Sequence, residues 1–149
     1  MDEGRGDEGR WRRDEGRKTR DEGRGMKRIS SVRDLEVYKL GFETAMEIFE
    51  ISKKFPKEEL YSLTDQIRKS SRSVCANLAE GWRKRRYEAM FINKLTDSAQ
   101  ECAETQTWLE FALACNYVNR ETFNSMDEKC EHIFAMLFTM ERKASAFCK

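Results

Sequence analysis

Four consecutive cations, Arg83, Lys84, Arg85 and Arg86, stand between two aromatic residues, Trp82 and Tyr87. Guanidinium groups pair bidentately with phosphate oxygens, and aromatic rings stack on unpaired bases. Arg68, Lys69 and Arg72 precede this run. If one helix carries both groups, Arg72 and Arg83 lie about three turns apart and share a face. These cations are the candidate contacts to RNA or DNA. The competing reading is a solvated helix junction whose charges pair with Glu80, Glu88 or a second copy of the chain.

Other chemistry is thinly represented. The sole histidine, His132, is preceded three residues earlier by Lys129, so the Glu-x-x-His pairs of di-iron bundles are missing. The Arg-x4–6-His motif of HEPN-type nucleases needs an arginine where Ser125, Met126 and Asp127 stand. Glu101 and Glu104 resemble one acidic pair of a MazG-like pyrophosphatase, with Glu43, Glu47 and Glu50 as partners across a bundle. A solvated helix face explains them more simply. There is no glycine-rich phosphate loop. No catalytic residue, metal ligand or cofactor is assigned, and the expectation is a protein that is not an enzyme.

The elements that must position the basic run are helices. The chain has 149 residues, one proline and 37% charged residues, enough for one domain with a core. Its long segments are rich in Ala, Leu, Met, Glu, Lys and Arg, good helix formers. A formal net charge of +1 argues against a globally basic nucleic-acid binder and leaves room for a local patch. No apolar run reaches the roughly 20 residues that cross a bilayer, and no membrane partner is expected. The five cysteines are odd in number and lack CxxC spacing, which suits buried, reduced thiols in a cytoplasmic protein.

Residues 1–30 read as a leader apart from the fold. DEGR recurs at Asp2–Arg5, Asp7–Arg10, Asp14–Arg17 and Asp21–Arg24, with Trp11 the one large apolar side chain before Met26. Its opposite charges cancel, and so little apolar surface cannot offset the entropy of ordering, which predicts disorder.

Residues 31–149 read as a domain of four helices. Ser31 and Asp34 resemble a capping box opening the first, with Leu35, Tyr38, Phe42, Ala45 and Phe49 as its seam. Pro56 separates it from a second helix, with Leu60, Leu63, Ile67, Ser70, Val74 and Asn77 on the seam. That helix reaches Gly81, and Trp82–Tyr87 forms the junction. The third shows Phe91, Leu95, Ser98, Cys102, Thr105, Leu109 and Ala112. Asn116 offers a left-handed terminus and Asn119 a cap for the fourth. The fourth carries Phe123, Met126, Cys130, Ile133, Leu137, Met140, Ala144 and Phe147. Short connections make neighbours antiparallel, so the fold class is all-α, an antiparallel up-down four-helix bundle.

Several helices show a second apolar face, notably around Trp108 and Phe111 on the third and Phe134 and Phe138 on the fourth. A bundle helix normally buries one stripe, and large exposed apolar patches are uncommon on monomers. These four residues are the candidate homo-oligomer interface.

Arg33-Asp34-Leu35-Glu36-Val37-Tyr38, the segment Phe55–Leu63, Gln66-Ile67-Arg68 through Val74, and Asn77-Leu78-Ala79-Glu80-Gly81 together resemble the 23S rRNA intervening-sequence protein family. Glu104-Thr105-Gln106-Thr107-Trp108-Leu109 is similar to the third helix of one of its branches. The resemblance covers about residues 33–147 and implies a four-helix bundle assembling into a ring-like homopentamer. Some members of the family are encoded within insertions in 23S rRNA genes. A related group serves as nucleic-acid-binding accessory proteins to reverse transcriptases, so a scaffold for a protein partner is the alternative function. Asn77, Glu80 and Gly81 carry the most specific part of the resemblance and are read as architectural.

Overall fold

The computed structural model describes residues 29–148, so the DEGR repeats, Trp11 and Lys149 lie outside the described residues. The fold occupies the unit Ser31–Lys149. Four long helices pack together: α1 (Glu36–Ser52), α2 (Leu63–Arg83), α3 (Glu88–Ala114) and α4 (Arg120–Arg142), followed by one turn, α5 (Ala144–Phe147). Each packs on its sequence neighbours, and α4 closes the bundle against α1. Successive helices run antiparallel, since α1 residues Tyr38 and Ser52 meet Cys75 and Arg68 of α2 in reverse order. No helix among the described residues is long and apolar enough to cross a membrane.

The predicted caps form with one displacement. Ser31 and Asp34 make a reciprocal capping box, but it opens a 3-10 turn at Val32–Asp34. Leu35 is extended, and α1 starts after it. Pro56 likewise opens a 3-10 turn, Lys57–Glu59, and α2 begins only at Leu63. Leu60, expected on the seam, is therefore exposed. Asn116 takes φ 64°. The amides of Tyr117 and Asn116 donate to the carbonyls of Ala112 and Leu113, the paired bonds of a Schellman ending. Asn119 caps α4 by accepting from the Thr122 amide at 2.7 Å.

The seams of α3 and α4 are buried as expected, except that Phe123 and Phe147 of the latter are only half-buried. On α1 the expected face is overturned in part: Leu35 and Ala45 are buried as expected, but the three aromatic residues are not. The buried residues are Val37, Leu40, Gly41, Thr44, Ala45, Ile48 and Ser52. Tyr38 and Phe49 are half-buried, and Phe42 is 53% exposed. Close approach explains the reversal. A Cβ on Gly41 would lie 3.2 Å from Cys75 Sγ and 3.3 Å from Val74 Cγ1, so only small side chains fit against α2. Thr44 and Ser52 tolerate burial because their hydroxyls donate to the carbonyls of Leu40 and Phe49 on their own helix.

The middle of the bundle is similarly thin and polar. Ser98 Oγ donates to the Val74 carbonyl at 2.8 Å, and the hydroxyls of Thr105 and Ser70 bond at 2.8 Å. Cys75, Cys102 and Cys130 are buried thiols, Cys148 is half-buried, and Cys115 is exposed, contrary to the expectation for it. Burial pushes the Cys75 thiol up to about 11. The hydrogen bond to Cys130, followed by burial, raises Cys102 as well. Protonated thiols of this kind pack as small apolar groups.

Candidate nucleic-acid interface

Helix α2 runs on through Gly81 to Arg83, and Tyr87 starts α3 from an extended backbone. Arg72 and Arg83 thus share one face of one helix. Eleven residues at 100° each bring the second about 20° from the first. The turn between α2 and α3 presents Arg83, Lys84 and Arg86 to solvent. None of them forms an ion pair with a carboxylate among the described residues.

Arg85 is placed differently. Its guanidinium lies 4.1 Å from the centroid of the Trp82 ring and donates to the Trp82 carbonyl at 2.8 Å. Trp82 itself is only 7% exposed and meets Phe147 edge-on at 6.2 Å. It belongs to the core, so the expectation that its ring stacks on bases is corrected. Tyr87 is free to do so, being 56% exposed with the Arg86 guanidinium over its ring at 5.4 Å.

Arg68, Lys69 and Arg72 form a second group on the flank. Arg68 Nε donates to Ser52 Oγ at 2.7 Å. Arg68 and Arg72 lie 4.8 and 5.6 Å from the centroid of the Phe49 ring on α1. Lys69 pairs loosely with Asp65 at 3.9 Å on its own helix. The seven cations therefore divide between a helix turn and a flank about 16 Å away along α2. The seam spacing predicts a core position for Phe49, which conceals its part in the second group.

Asn77, Glu80 and Gly81 converge on one residue of α3, Lys94. The Lys94 ammonium donates to Glu80 at 2.7 Å and to Asn77 Oδ1 at 3.4 Å. A Cβ on Gly81 would fall 2.8 Å from Lys94 Cβ. The hydrogen bond from Lys94, and then its charge, holds the Glu80 carboxyl below its ordinary range. Reciprocally, the bond to Glu80 raises Lys94. Sequence reading did not single out Lys94. Its only signal is a lysine at a position flanking the third seam, between Phe91 and Leu95.

The two apolar pairs expected at an oligomer interface lie on different sides of α3. Gln106 donates to Asp127 and Glu131 of α4. Trp108, two residues and 200° further round, turns away from α4. Its ring lies 5.9 Å from that of Phe111, which is 53% exposed. The indole Nε1 is buried without a hydrogen-bond partner among the described residues. Phe134 follows Asp127 by two turns on the edge facing α3, half-buried, and Phe138 beyond it is 60% exposed. Glu101 is half-buried beside Glu104. Burial first, and then the Glu104 charge, raises its carboxyl. Glu43 and Glu47 instead hold Lys129 of α4 at 2.9 Å each.

A search of the curated proteins gives no match. Among solved structures, the chain is similar to a protein of unknown function from the S23 ribosomal protein family of Bacteroides thetaiotaomicron VPI-5482. The two are 28% identical with a TM-score of 0.64, over 70% of this chain and 97% of that one. Residues 33–139 match the family model described as 23S rRNA-intervening sequence protein. That span runs from the Ser31 capping turn to the last turn of α4 and takes in Asn77, Glu80, Gly81 and Lys94. The chain accordingly belongs to the 23S rRNA-intervening sequence protein family.

Proposed function

We propose that this protein is a non-enzymatic, self-associating four-helix bundle that contacts RNA or DNA through the α2–α3 turn. The observation that carries the proposal is the set Arg83, Lys84 and Arg86, exposed and unpaired beside an exposed Tyr87. A solvated junction would neutralise such charges with its neighbours, but Glu80 is committed to Lys94 and Glu88 forms no ion pair with them among the described residues. The family's association with 23S rRNA genes points the same way.

Changing Arg83, Lys84 and Arg86 together to alanine tests this. Binding of single-stranded RNA and DNA is measured across a salt series. The expected result is weaker binding and a log–log salt slope flatter by about 2, from roughly 0.7 per lost phosphate contact. Unchanged affinity, or no wild-type binding near physiological salt, overturns the proposal.

Self-association is drawn from the apolar side chains left uncovered on α3 and α4. Phe111 and Phe138 are each more than half exposed, and burying such rings against another copy removes apolar area from water. The resemblance implies a ring of five. Sedimentation velocity at micromolar concentration is expected to show a species larger than a monomer, and Phe111→Glu with Phe138→Glu is expected to shift it toward monomer. A wild-type monomer throughout that range would defeat this part of the proposal.

A further inference from the structure

We infer that the outer ridge of α2 is a track for a single nucleic-acid strand, anchored at its far end by a second phosphate-binding site built on Phe49. The inference rests on the α2–α3 turn being a nucleic-acid contact, and it adds where the strand goes and that it is unpaired. Lys53, Arg68 and Arg72 lie 4.8, 4.8 and 5.6 Å from the centroid of the one Phe49 ring. A ring has two faces, so at least two of these cations share one. Lys53 has a carboxylate partner in Glu50 at 3.3 Å. Arg68 and Arg72 have none among the described residues. Like charges gathered on one ring repel, and an oxyanion between them reverses the sign of the local interaction.

Arg68 is also pre-positioned. Its Nε is fixed on Ser52 Oγ, while the Ser52 hydroxyl donates to the Phe49 carbonyl at 3.0 Å. The Nη groups, unpartnered among the described residues, remain for a phosphate, the bidentate use to which a guanidinium is suited. Between this nest and the turn, Arg72, Ala76, Ala79 and Arg83 recur at spacings of four, three and four, which places them on one ridge. The two alanines offer only methyl groups, so a strand can approach the helix closely. The ridge from Arg72 to Arg83 is about 16 Å long. A stacked strand advancing about 3.4 Å per nucleotide covers it with about five nucleotides. Exposed rings flank it, Tyr87 at the turn and Phe42 on α1, two turns from Phe49 on the side toward the turn because α1 and α2 run antiparallel. Stacking on them requires unpaired bases.

Fluorescence anisotropy with labelled single strands of about three, six and ten nucleotides tests the track, because only the longer two reach both anchors. Wild-type affinity is expected to rise at least about tenfold between the first two lengths and to change little afterwards. Arg68→Gln with Arg72→Ala, and Arg72→Ala alone since Arg72 holds no hydrogen bond among the described residues, are expected to remove that step. They should flatten the salt slope by about one and leave the shortest strand unaffected. Arg72→Lys should keep the step. Binding without a length step, a step that survives in both variants, or equal affinity for a duplex of the same length overturns the track while leaving the turn as a contact. Absence of binding at every length overturns both. Variants that change the sedimentation of the protein rather than its binding reassign the nest to a contact between copies and also overturn the inference.

Discussion

Replacing Phe91 with alanine is expected to lower the unfolding free energy by about 3–5 kcal/mol, the usual loss for deleting a buried phenyl ring. Phe91 is 1% exposed and sits in the first turn of α3, where the bundle end is closed by an aromatic cluster. Its ring is 6.1 Å from Phe147, which in turn meets Trp82. The space left by the ring cannot easily collapse. Gly81 already lies against Lys94 on the adjoining turn, and one turn further on Ser98 ties α3 to the Val74 carbonyl. The helices are thus held at a fixed separation beside the cavity. Urea denaturation monitored by circular dichroism measures the loss. A change below about 1.5 kcal/mol, as for a volume-conserving exchange, would mean that the C-terminal turn moves in to fill the gap.

How much of this fold could be read beforehand depended on side-chain size. The seam of α3 is spaced by fours and threes over a long, uninterrupted stretch, and every residue assigned to it is buried. The Asn116 and Asn119 signals work because each acts locally, through a left-handed backbone and a capping oxygen. On α1 the same periodicity misleads. Its true inner face is Gly41, Thr44, Ala45 and Ser52 beside Val37 and Ile48, which reads as polar and small. Of the aromatic residues that stand out in the sequence, Phe42 is exposed and Tyr38 and Phe49 are only half-buried. Tight α1–α2 packing, a property of two helices together, decides between the faces, and neither helix reveals it alone.

The candidate site was legible as composition and not as arrangement. The run of four cations is obvious in the sequence, but the position of each follows from where α2 stops. Two more helical residues beyond Gly81 bury Trp82, and the turn that follows folds Arg85 back onto it and leaves Arg83, Lys84 and Arg86 outward. Likewise Arg68 and Arg72 gain their meaning from Phe49, which lies on a different helix. Asn77, Glu80 and Gly81 share a single partner, Lys94, that nothing in their own segment identifies. The end point of α2 was the missing quantity in the first case, and contacts between helices in the other two.

Changing Gly81 to alanine is expected to destabilise the protein by about 1–2 kcal/mol, although the same exchange inside an ordinary helix stabilises by up to about 1 kcal/mol. The added Cβ would lie 2.8 Å from Lys94 Cβ and 3.7 Å from the Phe91 carbonyl oxygen. Lys94 Cβ is the root of its side chain and cannot swing aside. The chain beyond it is fixed by Glu80 at 2.7 Å and Asp97 at 3.7 Å. Relief therefore requires α2 and α3 to separate, an overpacking cost of about 1–3 kcal/mol that outweighs the helix-propensity gain. Gly41→Ala provides the contrast. Its contacts at 3.2 and 3.3 Å are with the ends of the Cys75 and Val74 side chains, which can shift by a few tenths of an ångström, so a smaller loss is expected. A Gly81→Ala, Lys94→Gly double variant separates crowding from propensity. Lys94→Gly removes the crowding Cβ together with the ammonium contacts, whose loss is measured by the single variant and subtracted in the cycle, so the two changes should show a favourable coupling above about 1 kcal/mol. Additive effects, or a stabilised Gly81→Ala protein, would show that α2 and α3 part here without cost and that the glycine serves no close approach.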